Sequence, residues 1–289
     1  MTQMEGAKSR SGAQDLSRAL GQPRFELLPL EGAEEQATHL PGGAKVTVTC
    51  SPARGLESTL QLAGKLSEAG FHAVPHLSAR LVHSEAHLEE TVRRLEGCGV
   101  REVFVIGGDA KKPVGEFSGA SGVLGAMDRM GHGFEEVGVA GYPEGHPIIA
   151  DGDLWRALHE KQRYATYIVT QMCFDPGAIL NWVSGIREQG IGLPVYVGLP
   201  GVLEWRKLLR ISLKIGVGDS ASFLTKNAGV LKKLLKSHYS PDDLVETLAP
   251  YVGDPGYNIR GVHFYPFNQT AALEEWRRPL LKPTGEVAT

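Results

Sequence analysis

The chain has 289 residues, 42% of them hydrophobic and 22% charged, with a formal net charge of −3. That is enough apolar side chain for a large α/β body, and too little net charge to argue for nucleic acid or an anionic membrane surface as a partner. Three cysteines, Cys50, Cys98 and Cys173, include no Cys-x-x-Cys pair, which speaks against a disulfide scaffold or a zinc ribbon and for reduced, cytoplasmic thiols.

Residues 1–22 lack the continuous apolar core of a signal peptide, and no apolar run is long enough to span a bilayer. These residues read as a polar lead-in with a short helix at Gln14–Leu20, and 281–289 as a loose tail, which leaves 23–280 as a single domain. Phe25–Pro29 is the first predicted strand and Lys45–Thr49 the second, each stopped by a proline at or just past its end. A helix follows with Leu56, Leu60, Ala63 and Leu66 on one face and Gly70 at its end. His72–Leu77 is the third strand. Leu88, Val92 and Leu95 then repeat at helical spacing behind a capping Ser84, and Gly97 and Gly99 end that helix.

The fourth strand, Glu102–Ile106, is cut by Gly107-Gly108-Asp109, and a Gly-rich loop leads to a helix at Gly122–Met130. Val137–Gly141 is the fifth strand, followed by a helix at Leu154–Gln162. Tyr167–Thr170 is the sixth, followed by Ile179–Glu188. Pro194–Leu199 is the seventh, followed by helices at Leu203–Ile215 and Ser220–Leu235. Ser240-Pro241-Asp242-Asp243 has the form of a helix start, with a capping serine, proline at the first helical position and acids in the first turn. Gly261–Tyr265 is the eighth strand. Eight apolar runs alternating with amphipathic helices imply a parallel sheet, and that count in this length is the arithmetic of a (β/α)8 TIM barrel. A doubly wound open sheet would want a GxGxxG turn after the first strand, and Pro29-Leu30-Glu31-Gly32 is not one.

In such a barrel the C-terminal strand ends carry the site. Read at those ends, the chain offers Glu26, Thr49, His76, Asp109, Tyr142, His146, Gln171, Tyr265 and Asn268. Singly, each has a plain structural use as rim acid, helix cap or core imidazole. Together they gather acids, imidazoles and an amide on one face, which a purely structural barrel does not need. Glu26 stands between Phe25 and Leu27 in an apolar strand, so its carboxyl group should lose hydration, hold a proton near neutrality and serve as a general acid. Gly107-Gly108-Asp109 offers a close backbone approach and an acceptor, which suits a heterocycle or a phosphate.

These residues resemble the methylenetetrahydrofolate reductase family, in its bacterial catalytic-barrel form. The stretches that carry the resemblance are Phe25-Glu26-Leu27-Leu28-Pro29, Pro75-His76-Leu77, Gly107-Gly108-Asp109, Tyr142-Pro143-Glu144-Gly145-His146-Pro147, Thr170-Gln171-Met172-Cys173-Phe174-Asp175 and His263-Phe264-Tyr265-Pro266-Phe267-Asn268, in the family's order. The resemblance implies reduction of 5,10-methylenetetrahydrofolate to 5-methyltetrahydrofolate by NADH or NADPH through bound FAD, within one-carbon metabolism. It makes Glu26 the acid that helps open the folate ring, Asp109 a residue near flavin and pterin, and Gln171 a pterin and nicotinamide contact. It places Thr49, His76, Gly108, Asp109, Tyr142 and His146 against FAD, extends that contact to Asp153 and Lys161 by the phosphates, and sets Phe267 near the substrate.

Three departures stand out. Gly107 occupies a position usually filled by arginine in the FAD enzymes, the segment from Asp153 to Gln171 is about one residue short, and Ile211 stands where many members have an aromatic over the nicotinamide. Part of the family is thought to transfer hydride directly, without flavin. Two readings compete from outside the family: a metal-dependent hydrolase or lyase using Glu26, His76, Asp109 and His146, and a pterin- or flavin-binding protein without turnover. Within the reductase reading no metal is expected, and a homo-oligomer is left open.

Overall fold

A computed structural model describes residue 12, residues 14–215 and residues 238–281. The helix expected at Ser220–Leu235 lies outside the described residues. The barrel strands are β1 (Arg24–Leu27), β2 (Lys45–Val48), β3 (His72–Ser78), β4 (Glu102–Ile106), β5 (Glu136–Gly141), β6 (Tyr167–Thr170), β7 (Val195–Pro200) and, after a short antiparallel pair β8 (Leu203–Glu204) and β9 (His238–Tyr239), β10 (Ile259–Tyr265). They form a closed barrel in the order β1-β10-β7-β6-β5-β4-β3-β2, the parallel (β/α)8 architecture expected from the alternation of strands and helices. The helices are α1 (residues 14–21), α2 (Ala33–Ala37), α3 (Gly55–Glu68), α4 (Glu85–Gly97), α5 (Ala120–Met130), α6 (Asp151–Lys161), α7 (Pro176–Glu188), α8 (Trp205–Ile215), α9 (Asp242–Leu248) and α10 (Thr270–Leu280). Among the described residues no helix is long and apolar enough to cross a membrane.

The chain divides into two compact units, one of Arg24–Gly141 with Ile149–Val169, the other of the remaining described residues. In the first unit the parallel register sets Arg24 beside Lys45, Lys45 beside His72, and Glu102 beside Glu136. Arg24 pairs with Glu102, although β1 and β4 are not neighbours in the sheet, so the two side chains meet across the barrel interior. Lys45 bonds Glu102 at 2.7 Å and also pairs with Glu136, and the Arg24 guanidinium lies 4.1 Å from the centre of the Tyr167 ring. This charged layer closes the N-terminal end of these strands. Glu102 sits well below the ordinary carboxylate range, at about 2: burial pushes it up, but Arg24, Glu136 and Lys45 together outweigh burial.

Successive strand residues alternate faces, so Glu26 and Phe104, each two residues past a member of this layer, also point inward. Gly138 of β5 leaves room for the rings there. A Cβ on it would lie 2.3 Å from the Tyr167 ring and 2.5 Å from Phe104.

In the second unit β7 and β10 run parallel, with a register shift between Ile259 and Gly261. Phe264 of β10 meets Trp276 of α10 edge to face, which turns His263 and Tyr265 to the opposite face of the strand. Arg277, buried in α10, bonds Glu274 and the carbonyl of Leu20 at the end of α1. Ser84 caps α4 as expected, accepting from the His87 N–H at 3.2 Å. The serine cap expected at Ser240 is not formed. Pro241 is the cap residue of α9, and the Ser240 hydroxyl turns to the side chain of Asp242 instead. A carboxylate two residues on accepts a charge-assisted bond, which outcompetes capping a backbone N–H.

Candidate active site

Glu26 and His76 come together. The Glu26 carboxylate lies 3.8 Å from His76 Nε2, with side-chain exposures of 12% and 10%. That spacing is a Coulombic contact, longer than a hydrogen bond. The His76 ring in turn rests on Phe104, with centroids 4.8 Å apart. Burial raises Glu26 to about 7, and the imidazole pulls the other way without cancelling it. Thr49 follows β2 directly, its N–H bonded to the Leu27 carbonyl and its own carbonyl accepting from the Thr59 hydroxyl.

Gly108 and Asp109 begin the loop after β4. Gly108 has φ of +89°, a conformation that favours glycine, and a Cβ on it would lie 1.9 Å from the Ser78 hydroxyl oxygen. That hydroxyl is buried with no hydrogen-bond partner among the described residues. Asp109 itself is exposed. Neither φ nor space demands glycine at Gly107, whose Cβ position meets nothing within 4 Å.

The turn after β5 folds on itself. Gly145 has φ of +75° and donates to the Tyr142 carbonyl at 3.2 Å, which brings His146 back over Tyr142, the rings edge to face at 5.2 Å. Asp153 and Lys161 are not brought together. They occupy the first and last turns of α6, about 12 Å apart along the axis by the helical rise. Asp153 is exposed and pairs with Arg156. Lys161 is buried, its ammonium donates to the Ala140 carbonyl at 3.3 Å, and burial lowers it to about 8. An ammonium without a carboxylate among the described residues is an anion-seeking group.

Gln171 and Phe267 follow β6 and β10, and the ends of those strands are tied together. The Tyr265 hydroxyl donates to the Thr170 carbonyl at 2.9 Å, and the Gly198 N–H to the Thr170 hydroxyl at 2.7 Å. Gln171 Oε1 accepts from the Met172 N–H at 2.8 Å, which ties down its amide oxygen. Phe267 and Asn268 both have positive φ, 49° and 59°, a conformation uncommon for phenylalanine and more readily adopted by asparagine. Ile211 lies half-buried on α8. Among the described residues no group of three or more His, Cys, Asp or Glu side chains is arranged to hold a metal ion. Sequence reasoning passed over Ser78 and Arg80. Ser78 ends β3 and Arg80 lies two residues on, and no sequence signal marked either.

The family model described as methylenetetrahydrofolate reductase matches residues 31–276. Methylenetetrahydrofolate reductase 1 of Schizosaccharomyces pombe is 30% identical over 159 residues, 52% of this chain and 26% of the relative. Methylenetetrahydrofolate reductase (NADH) 1 of Arabidopsis thaliana is 28% identical over 175 residues, 53% of this chain and 29% of the relative. The chain thus spans under a third of the length of these relatives. Among solved structures, a Clostridium thermocellum protein described as binding two copies of 5-methyl-5,6,7,8-tetrahydrofolic acid superposes with a TM-score of 0.61 at 12% identity, covering 92% of this chain and 98% of that one. At that identity the likeness is one of fold.

Proposed function

The chain belongs to the methylenetetrahydrofolate reductase family, and from that premise we propose that it reduces 5,10-methylenetetrahydrofolate to 5-methyltetrahydrofolate with NADH or NADPH, using FAD. The observation that carries this reading is Glu26, a carboxyl group buried beside His76 and holding its proton up to about pH 7. The closed five-membered ring of the substrate cannot accept hydride until it opens. Its bond from the methylene carbon to N10 breaks, N10 takes a proton, and the carbon is left as an iminium on N5. Glu26 is the group that gives N10 that proton, and near neutrality it is poised to do so.

Asp109 holds the pterin through its ring N–H groups. Gln171 donates its fixed amide NH2 to a pterin or nicotinamide carbonyl, and Phe267 lends an apolar face to the substrate. FAD would be held by Thr49, His76, Gly108, Asp109, Tyr142 and His146, with Asp153 and Lys161 toward its phosphates. The buried ammonium of Lys161 and the buried hydroxyl of Ser78 beside Gly108 fit an anionic, hydrogen-bonding group. Bound there, FAD would relay hydride between nicotinamide and folate.

Gly107 favours a second reading within the family, direct transfer from nicotinamide to folate, because the arginine usual in the FAD enzymes is missing where space would admit it. One experiment tests both. The purified protein is given methylenetetrahydrofolate with NADH or NADPH, with and without FAD, and methyltetrahydrofolate is measured by mass spectrometry alongside flavin absorbance. Product that depends on FAD supports the first reading, and product from colourless protein unaffected by FAD supports the second. No product under any condition removes both.

A further inference from the structure

The loop that carries Asp109, residues 107–119, has no regular structure, so it holds a side chain only as firmly as its backbone is tied. Its ties converge on Arg80, just beyond β3. The guanidinium donates from Nη1 to the Ala110 carbonyl at 2.9 Å and from Nε to the Ser118 carbonyl at 3.1 Å. The Arg80 N–H donates to the Gly107 carbonyl at 3.1 Å, and the Arg80 carbonyl accepts from the Val114 N–H at 3.0 Å. One residue thus grips the loop at its start, its middle and its end, with Asp109 between two of the gripped carbonyls.

Two neighbours reinforce the grip. Glu116 accepts from the Glu85 N–H at 2.9 Å, and Gly115 lies so close to the His83 carbonyl that a Cβ on it would stand 2.0 Å away. A planar guanidinium with fixed donor directions can bridge two carbonyls of one loop; an ammonium presents a single point of charge.

We infer that Arg80 is the positioning residue of the Asp109 loop, fixing the direction in which Asp109 meets the folate. The part concerning folate rests on the function proposed above; the grip on the loop does not. The test compares the parent with Arg80→Met, Arg80→Lys, Asp109→Asn and Arg80→Met/Asp109→Asn in the full-length chain. In Arg80→Met, amide hydrogen exchange should quicken by roughly 10-fold or more within residues 107–119 and stay unchanged in peptides from β1 and β2. Arg80→Lys should recover this only in part.

In turnover, Arg80→Met should raise the folate KM by roughly 10- to 100-fold, the scale of a misplaced contact, and leave the nicotinamide KM unmoved. The double variant should be no worse than Asp109→Asn alone, because the two act through one interaction. Unchanged exchange in the loop, or faster exchange throughout the chain, overturns the grip. Faster loop exchange with an unchanged folate KM, or additive losses in the double variant, overturns the positioning of Asp109. A parent that turns over no folate defeats the proposed function and with it the folate role, while the exchange result still judges the grip.

Discussion

Replacing Glu26 by glutamine keeps the shape and hydrogen-bonding capacity of the side chain and removes its titration. The structure sets the size of the effect on stability. Glu26 binds its proton more tightly folded than unfolded, with an ordinary value of 4.5 raised to about 7. Wild-type stability is therefore full below about pH 4.5, declines as pH rises to about 7, and stays at the lower level above that. The interval corresponds to roughly 3 kcal/mol, the cost of ionising this carboxyl in place. Glu26→Gln escapes that cost. Urea melts should show it more stable than the parent by about 2–3 kcal/mol at pH 8, with the gap closing by pH 5. The same substitution should lower kcat/KM for methylenetetrahydrofolate by roughly 10²–10⁴-fold, the span of a lost general acid, and spare nicotinamide oxidation by an artificial quinone acceptor. A gap independent of pH would mean that Glu26 does not hold its proton to neutrality. Equal loss of both activities would make it a structural residue.

Arg24→Met leaves Glu102 buried without its guanidinium partner and should cost about 3–5 kcal/mol at pH 7 in urea melts. Glu102 is lowered to about 2, so the stabilisation it brings is present above pH 4.5 and fades as pH falls toward 2, and the loss should be smaller at pH 3 than at pH 7. Gly138→Ala places a methyl group against the Tyr167 and Phe104 rings and should lower stability by about 1–3 kcal/mol, read as a fall in Tm; an unchanged Tm would show that the rings give way freely. Lys161→Met removes a buried ammonium lowered to about 8, a burden on the fold that is greatest below that pH. It should raise stability at pH 7 and weaken FAD retention, and a variant that keeps FAD unchanged would separate Lys161 from the cofactor.

The barrel strands were legible because each is a short apolar run ended by glycine, proline or a polar residue; Glu102–Ile106 and Tyr167–Thr170 match to the residue, and the other barrel strands shift by two residues or fewer at either end, while the two-residue strands β8 and β9 were not expected. The raised pKa of Glu26 was legible too, since a carboxylate flanked by Phe25 and Leu27 in a buried strand has nowhere to find water. Arg80 was not. Its role depends on which carbonyls a neighbouring loop turns toward it, and nothing in the spacing of residues 80 and 107–118 encodes that. The misread cap at Ser240 has a similar source. The Ser-Pro-Asp-Asp pattern admits both a backbone cap and a side-chain bond, and only the local geometry chooses the latter. The separation of Asp153 from Lys161 followed from their spacing on one helix, yet the burial of Lys161 came from packing behind β5.

Two glutamates on the inner face of one unit show how the barrel assigns chemistry by counter-charge. Glu102 and Glu26 are both withdrawn from water, and burial alone would keep both protonated. Arg24 and Lys45 press on Glu102, so it stays ionised and serves as half of a structural clamp. Arg24 and Glu26 lie on the same face of β1, two residues apart, and the arginine is spent on Glu102 in the layer below. His76, at 3.8 Å, pulls Glu26 the other way, and burial outweighs it. The clamp at the N-terminal end of the strands draws the Arg24 guanidinium to Glu102 and Glu136, and the desolvation of Glu26 in the next layer keeps its proton on to about pH 7. A second cation near Glu26 would ionise it and abolish its use as an acid. This explains in physical terms why a carboxyl group so close in sequence to a buried arginine can still titrate near neutral pH.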